Sequence, residues 1–248
     1  MQYLLIAAHP DDETIGAGIW IKRNAEAVTI VHTTDGSPAD MRDARALGFD
    51  TRDAYAIARR RELYRALAMA GVSRKQCVDI GIRDQEAYLY FEEMIELLNE
   101  VVERAQPSVV LSPAYEGGHP DHDAAAFAVA QLRKRRPFRH REYRLYHATP
   151  DGGLNTQDFL PSPGIASEIL ELTAEEREFK TSMMGAFRTQ ARVLSQFPVS
   201  DERFRDAPQY DFARPPHEGA LVYERWGFPI SGETWRARAC LQISGSPS

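Results

Sequence analysis

The chain has 248 residues and a formal net charge of −6, with 43 % hydrophobic and 27 % charged residues. That length suits one α/β domain with its own core, residues 1–248 being read as a single unit, and the negative balance argues against a broad nucleic-acid surface. Two cysteines, Cys77 and Cys240, are too few for a disulfide framework or a thiolate metal cage. Reduced thiols agree with a cytoplasmic protein. No apolar run approaches the ~20 residues of a membrane-spanning helix. The first apolar run passes straight into charged residues with no basic segment before it, so no cleavable leader is expected.

In chain order, Tyr3 to Ala8 is a continuous apolar run that predicts a strand buried on both faces. A helix is expected over Glu13 to Asn24, a strand over Val28 to His32, and a turn at Thr34-Asp35-Gly36. Residues 36–52 form a long polar connection, either a binding loop or a solvated insertion. Asp53 to Ala70 predicts a long helix closed by Gly71, Gln76 to Ile80 a strand, and Tyr88 to Ala105 a helix. Val109 to Ser112 is strand-like, Asp123 to Arg136 is helical and stopped by Pro137, and Tyr143 to Ala148 is a further strand. Beyond it the pattern is less regular. A strand is expected over Ile165 to Leu172 and a helix over Ala174 to Phe197. Residues 198–219 read as a long surface loop, and Ala220 to Trp226 as a late strand. The alternation predicts a mostly parallel, doubly wound α/β sheet flanked by helices, with an irregular C-terminal extension.

His-Pro-Asp occurs twice, as His9-Pro10-Asp11-Asp12-Glu13 and as His119-Pro120-Asp121-His122-Asp123. Each copy follows a buried strand and precedes a helix, and ligands in such sheets bind outside the carboxyl ends of the strands. The two turns are therefore expected to meet. His9 and Asp12 from one, with His122 from the other, supply a His₂Asp set that suits a catalytic Zn²⁺, with Fe²⁺ or another divalent ion as alternatives. Asp11 can then take a proton from water, and His119 can protonate a leaving amine or stabilise an oxyanion. Asp121 or another acid can orient an imidazole. Carboxylates near His119, Asp121 among them, favour its protonated form. Acids at a strand-to-helix turn also serve as N-caps, but capping does not call for histidine at both turns.

Residues 9–13 and 119–122 together resemble the signature of the PIG-L/LmbE family of zinc-dependent N-deacetylases. Arg59-Arg60-Arg61-Glu62-Leu63 is similar to that family's Arg-x-x-Glu helix. Gly81-Ile82-Arg83-Asp84 resembles its Gly-x-x-Asp substrate loop, and Lys180 through Thr189-Gln190 its late helix. The resemblance implies a Rossmann-like fold and hydrolysis of an acetamide on an N-acetylglucosamine unit or sugar conjugate. It assigns zinc to His9, Asp12 and His122, the base to Asp11 and the electrostatic or acid role to His119. Arg59 and Asp84 would clamp sugar hydroxyls. Arg188 replaces the usual late histidine, Gly117 replaces the tyrosine of the mycothiol branch, and Pro215-Pro216-His217-Glu218-Gly219 has no counterpart in the general family.

Two rival chemistries remain: an amidase on a thiol-conjugate amide, and a non-haem Fe(II) oxygenase built on the same His₂Asp set. The expected partner is a small N-acetylated molecule, and nothing in the sequence sets the oligomeric state, a homo-oligomer included. Gly16-Ala17-Gly18 is no dinucleotide fingerprint, because acids occupy the turn before it. Those glycines are expected to let the helix pack closely. His32 and His147 read as structural, His217 as a cap of the late strand, and the basic run from Arg133 to Arg141 as a solvated helix end.

Overall fold

The computed structural model describes residues 1–245. In chain order the elements are β1 (Tyr3–Ala7), α1 (Asp12–Arg23), β2 (Val28–Thr34), α2 (Arg42–Ala46), α3 (Arg52–Met69), β3 (Cys77–Ile82), α4 (Phe91–Ala105), β4 (Val109–Pro113) and α5 (Pro120–Arg135). They continue with β5 (Arg139–Tyr143), β6 (His147–Ala148), β7 (Leu154–Asn155), β8 (Glu168–Glu171), α6 (Ala174–Met184), α7 (Ala191–Leu194), β9 (Asp201–Asp206), α8 (Val222–Arg225) and α9 (Gly232–Gly245). The main sheet runs β3-β2-β1-β4-β5-β9-β8. Strands β1 to β5 pair in parallel, and β9 and β8 add an antiparallel edge. The order reverses between β1 and β4, which is where an open α/β sheet leaves a crevice at its carboxyl edge.

The parallel strands are apolar because both of their faces are covered. In β1, Leu4 and Ile6 join a core with α4, α5 and Trp235, while Leu5 and Ala7 join the other core with α3 and α6. That is the period-two alternation of a strand. Helix α4 buries Phe91, Met94, Ile95, Leu98, Val101 and Val102, a single stripe at helical spacing. Helix α5 is buried nearly all round by small residues, and Pro120 at its first turn sacrifices only a backbone donor that has no helical partner.

Helix α1 breaks at Ala17, whose φ of −148° is not helical. The interrupted turn finds its partners in a buried ion pair. Glu202 accepts hydrogen bonds from the backbone of Ile19 (2.8 Å) and Trp20 (2.9 Å), while Lys180 donates to the Ile15 carbonyl (2.7 Å) and to Glu202 (2.9 Å). A side chain at Gly16 would place its Cβ 2.2 Å from the Tyr143 ring, so the glycine permits this close packing.

The early elements agree with expectation to within a few residues. The later half required corrections. The strand expected over Tyr143 to Ala148 is β5, centred earlier, with only the short β6 at 147–148. The expected long helix is broken after Met184 at Gly185 into α6, a 3₁₀ turn and α7. Residues 198–219 are not simply a loop, because β9 lies inside them. Residues 220–226 form no strand, since Val222–Arg225 is the short helix α8. His217 therefore caps no strand; its Nδ1 bonds the Glu218 carbonyl at 2.7 Å. The basic run is paired rather than merely solvated: Arg135 with Glu96, Arg136 with Glu103, Arg139 with Asp206, Arg141 with Glu168. Among the described residues, no helix is long and apolar enough to cross a membrane.

Candidate active site

The two His-Pro-Asp turns leave the carboxyl ends of the adjacent strands β1 and β4 and meet at the switch point. His122 Nε2 lies 3.2 Å from His9 Nδ1 and 3.1 Å from Asp12 Oδ1, and His9 Nδ1 lies 3.2 Å from Asp12 Oδ2. All three residues are buried. Two ring nitrogens facing each other can share only one proton, so this arrangement suits a cation between them and the carboxylate. The wider charge balance points the same way. Asp11, Asp12, Asp84 and Asp121 are all buried around the turns, with Arg59 as the nearby arginine. Burial alone would raise the Asp12 carboxyl, but His122 and His9 hold it well below the usual range. Burial would likewise depress His9, and Asp84 and Asp12 outweigh it, pushing the imidazole well above its ordinary value.

Asp11 sits at φ 152°, ψ −28°, a sparsely populated conformation for a residue with a side chain. It is held there from several sides. Its N–H donates to Glu13 Oε2 (3.1 Å), which also meets His32 Nε2 (3.0 Å), and its Oδ2 accepts from Arg59 (2.8 Å). Arg59 also donates to the carbonyls of Pro10 and Gly36. Burial raises the Asp11 carboxyl to about 7, with Arg59 opposing the rise. Its Oδ1 makes no hydrogen bond among the described residues and the side chain lines the cavity.

The remaining expected residues lie at the same site with altered parts. Asp121 is fully buried and absent from the cavity lining; its Oδ2 meets His9 Nε2 at 3.2 Å and accepts the Gln85 N–H, and its Oδ1 accepts the Ala87 N–H. It meets the His9 ring on the side away from Asp12 and His122. Arg59, expected to clamp a sugar, has its guanidinium committed to Asp11 and two carbonyls instead. Asp84 lines the cavity, with Oδ1 3.2 Å from His9 Nε2 and 3.6 Å from His119 Nε2 but no aligned hydrogen bond. Burial raises its carboxyl, but His9 and then His119 hold it well below the usual range. The expectation of a protonated His119 is reversed: burial, reinforced by His9, pushes its imidazole well below the ordinary value. Its Nδ1 accepts the Asp121 N–H (3.2 Å) as the cap of α5, leaving the proton of the neutral ring on Nε2.

The cavity over this cluster measures about 540 Å³. Pro38, Asp40, Arg42 and Asp43 bring the 36–52 connection into its wall, in keeping with a binding loop. Gln190, from the late motif, lines it too, and sequence reasoning passed over Tyr55, Tyr146, Trp226 and Phe228, which also line it. Tyr146 was within reach, because the loop after β5 leaves the same edge of the sheet as the two histidine turns.

A family model described as PIG-L, GlcNAc-PI de-N-acetylase, matches residues 4–133. A probable N-acetyl-alpha-D-glucosaminyl L-malate deacetylase 2 from Bacillus anthracis is 29 % identical over 205 residues, covering 78 % of this chain and 84 % of that protein. A diacetylchitobiose deacetylase from Thermococcus kodakarensis is 34 % identical over 131 residues, covering 50 % of this chain and 46 % of that protein. A solved deacetylase from the biosynthesis pathway of teicoplanin shares the fold, with a TM-score of 0.67 at 17 % identity over 85 % of this chain and 99 % of its own. With residues 4–133 of the 248 under the family model, and both His-Pro-Asp turns inside that span, the chain belongs to the PIG-L family.

Proposed function

We propose that this chain is a divalent-metal-dependent N-deacetylase that hydrolyses the acetamide of an amino-sugar conjugate, with zinc as the metal. The observation that carries the reading is the convergence of His9, Asp12 and His122 within 3.2 Å of one another beside a carboxylate with a free oxygen. His9, His122 and Asp12 would hold the ion. A divalent cation there acidifies water toward a pKa of ~7 and polarises an acyl oxygen.

The chain's own groups do the rest. Arg59 fixes one oxygen of Asp11, so that Oδ1 faces the cavity and takes the water proton. A carboxyl at about 7 is matched to that task near neutral pH. The water oxygen bonds to the acyl carbon, the carbonyl electrons move to oxygen, and His119 Nε2–H donates to that oxyanion as a neutral ring. Collapse breaks the C–N bond. Asp11 returns its proton to the departing nitrogen, and a free amine leaves with acetic acid, which gives up its proton to solvent as acetate. Asp121 keeps the His9 ring turned so that Nδ1 faces Asp12 and His122. Asp84 and Gln190, both in the cavity lining, would meet substrate hydroxyls. The relatives' sugar substrates support the choice of an N-acetylated amino sugar.

The test is release of acetate and primary amine from a panel of N-acetylated amino sugars and their conjugates, alongside metal analysis of protein purified without added metal. Turnover that is lost on chelation and restored by zinc is the expected result. A metal-replete protein that releases no amine from any acetamide overturns the reading.

A further inference from the structure

One wall of the cavity is a continuous set of aromatic rings that begins at the two catalytic-turn histidines and ends at the surface. The Phe228 ring stands 5.1 Å from His119, and Tyr146 stands 5.3 Å from His122. Trp226 joins them, 5.8 Å from Tyr146 and 6.1 Å from Phe228, and Phe197 lies 5.9 Å from Tyr146. All four side chains line the same 540 Å³ cavity. Trp226 is 48 % exposed, which is unusual for the largest apolar side chain when it adjoins a buried site. Its indole N–H has no hydrogen-bond partner among the described residues.

The wall is anchored to the chemistry. Val222 at the start of α8 donates to the Gly117 carbonyl (2.9 Å), two residues before His119, and α8 hands on to Trp226 and Phe228 through Trp226 N–H to Val222 O and Phe228 N–H to Tyr223 O. Gly117, with φ +69°, makes this seat possible, since a Cβ there would stand 2.6 Å from Leu221 and 3.2 Å from Pro216. The hydrogen bond from Val222 thus links the helix that precedes Trp226 to the turn that carries His119.

We infer that Tyr146, Phe197, Trp226 and Phe228 form a subsite for a planar apolar group carried by the substrate next to its acetylated sugar, an aromatic aglycone. This rests on the deacetylase reading. Asp40, Arg42, Asp43 and Asp84, which line the cavity, suit sugar hydroxyls. The aromatic wall offers ring faces, on which a planar apolar ring can stack or stand edge-on.

The experiment compares kcat/KM for the methyl and phenyl glycosides of N-acetylglucosamine, with N,N'-diacetylchitobiose as the carbohydrate control, in the zinc-loaded protein and in Trp226→Ala and Trp226→Phe. The same two glycosides of glucosamine are titrated by calorimetry, so that binding is read without turnover. The phenyl glycoside is expected to exceed the methyl glycoside by about tenfold in both measurements. Trp226→Ala should abolish that advantage, and Trp226→Phe should restore most of it. Equal values for phenyl and methyl overturn the inference, as does an equal loss for both in Trp226→Ala. A Trp226-dependent advantage for the disaccharide in place of the phenyl group overturns it in favour of a second sugar. Phenyl glucosaminide that binds through Trp226 when no acetamide is cleaved retains the subsite and removes the deacetylase reading. Cleavage without phenyl preference does the reverse. If nothing binds and nothing is cleaved, both fall.

Discussion

In the first four strands, β1 to β4, the buried positions are mostly Leu, Ile and Val, and the polar residues collect in the loops at the carboxyl edge. In β5, β9 and the segments beside them, charge is carried into the interior: Glu142 with Arg205, Arg144 with Asp201, Lys180 with Glu202. The first region is held by apolar burial, which leaves its loop ends free for chemistry. The second is held by paired charges, which fix geometry strongly without adding much net stability. The metal-ligand candidates and the base come from the first region, and the aromatic wall comes from the second.

Substitutions in the first region should strike chemistry hardest. Asp12→Ala and His122→Ala are each expected to lower bound zinc and kcat/KM together, by roughly 10³-fold or more in rate, because each removes one of three protein ligands. Full zinc occupancy, measured by elemental analysis, in both variants would detach the chemistry from this cluster. Asp11→Asn should keep its zinc and lose roughly 10³-fold in kcat, since the amide preserves shape but accepts no proton from water. Wild-type turnover in that variant would reduce Asp11 to a turn residue. His119→Ala should also keep its zinc, with kcat falling about 10²-fold through loss of one oxyanion donor. Because the ring acts in its neutral form, the limbs of the pH profile of kcat/KM should stay where they are. A lost basic limb would show that His119 acts as a titrating acid.

A change in the second region should instead register in stability. His140 on β5 is buried, its Nε2 2.8 Å from Ser112 Oγ, and burial, aided by Arg133, lowers its imidazole from 6.5 to about 3. The unfolded chain takes up this proton below pH ~6.5 and the folded chain does not until pH ~3, so the folded state loses stability as pH falls through that window. From pH ~6.5 to ~5 the loss attributable to this one group is about 2 kcal/mol. Urea unfolding of His140→Gln should therefore show that much less acid sensitivity than wild type, with kcat at neutral pH little changed. An identical acid dependence in the two proteins would show that His140 is protonated in the fold.

This contrast explains what was legible. The run Leu4-Leu5-Ile6-Ala7 followed by a histidine turn announces both a buried strand and a site. The spacing of His9, Asp12 and His122 makes their meeting readable once the strands are taken as parallel neighbours. The strand Arg139-His140-Arg141-Glu142-Tyr143 looks like surface, because two of its three buried members are a histidine and a glutamate whose partners lie far along the chain. Asp201 to Asp206 is hidden in the same way, since Glu202 and Arg205 are satisfied by Lys180 and Glu142. The part played by Arg59 is not legible in the sequence for a related reason. A helical arginine can be recognised from sequence, but its choice between a substrate hydroxyl and the Asp11 carboxylate is made by tertiary packing. The alternation that ends at Trp226 reads as a strand, whereas the chain there forms α8, whose first residue is hydrogen-bonded to Gly117.

The interrupted turn of α1 bears on how this protein can be cut. The helix that carries Asp12 ends its first stretch with backbone groups that only Lys180 and Glu202 satisfy, and both lie well past the last residue under the family model. A fragment ending near residue 135 would retain every proposed metal ligand and the base, yet would leave those donors and the Ile15 carbonyl open to water in the middle of its first helix. The segment that bears the family signature is thus not a portable module, and transplanting this chemistry onto another scaffold would require carrying the 180–202 stretch along with it.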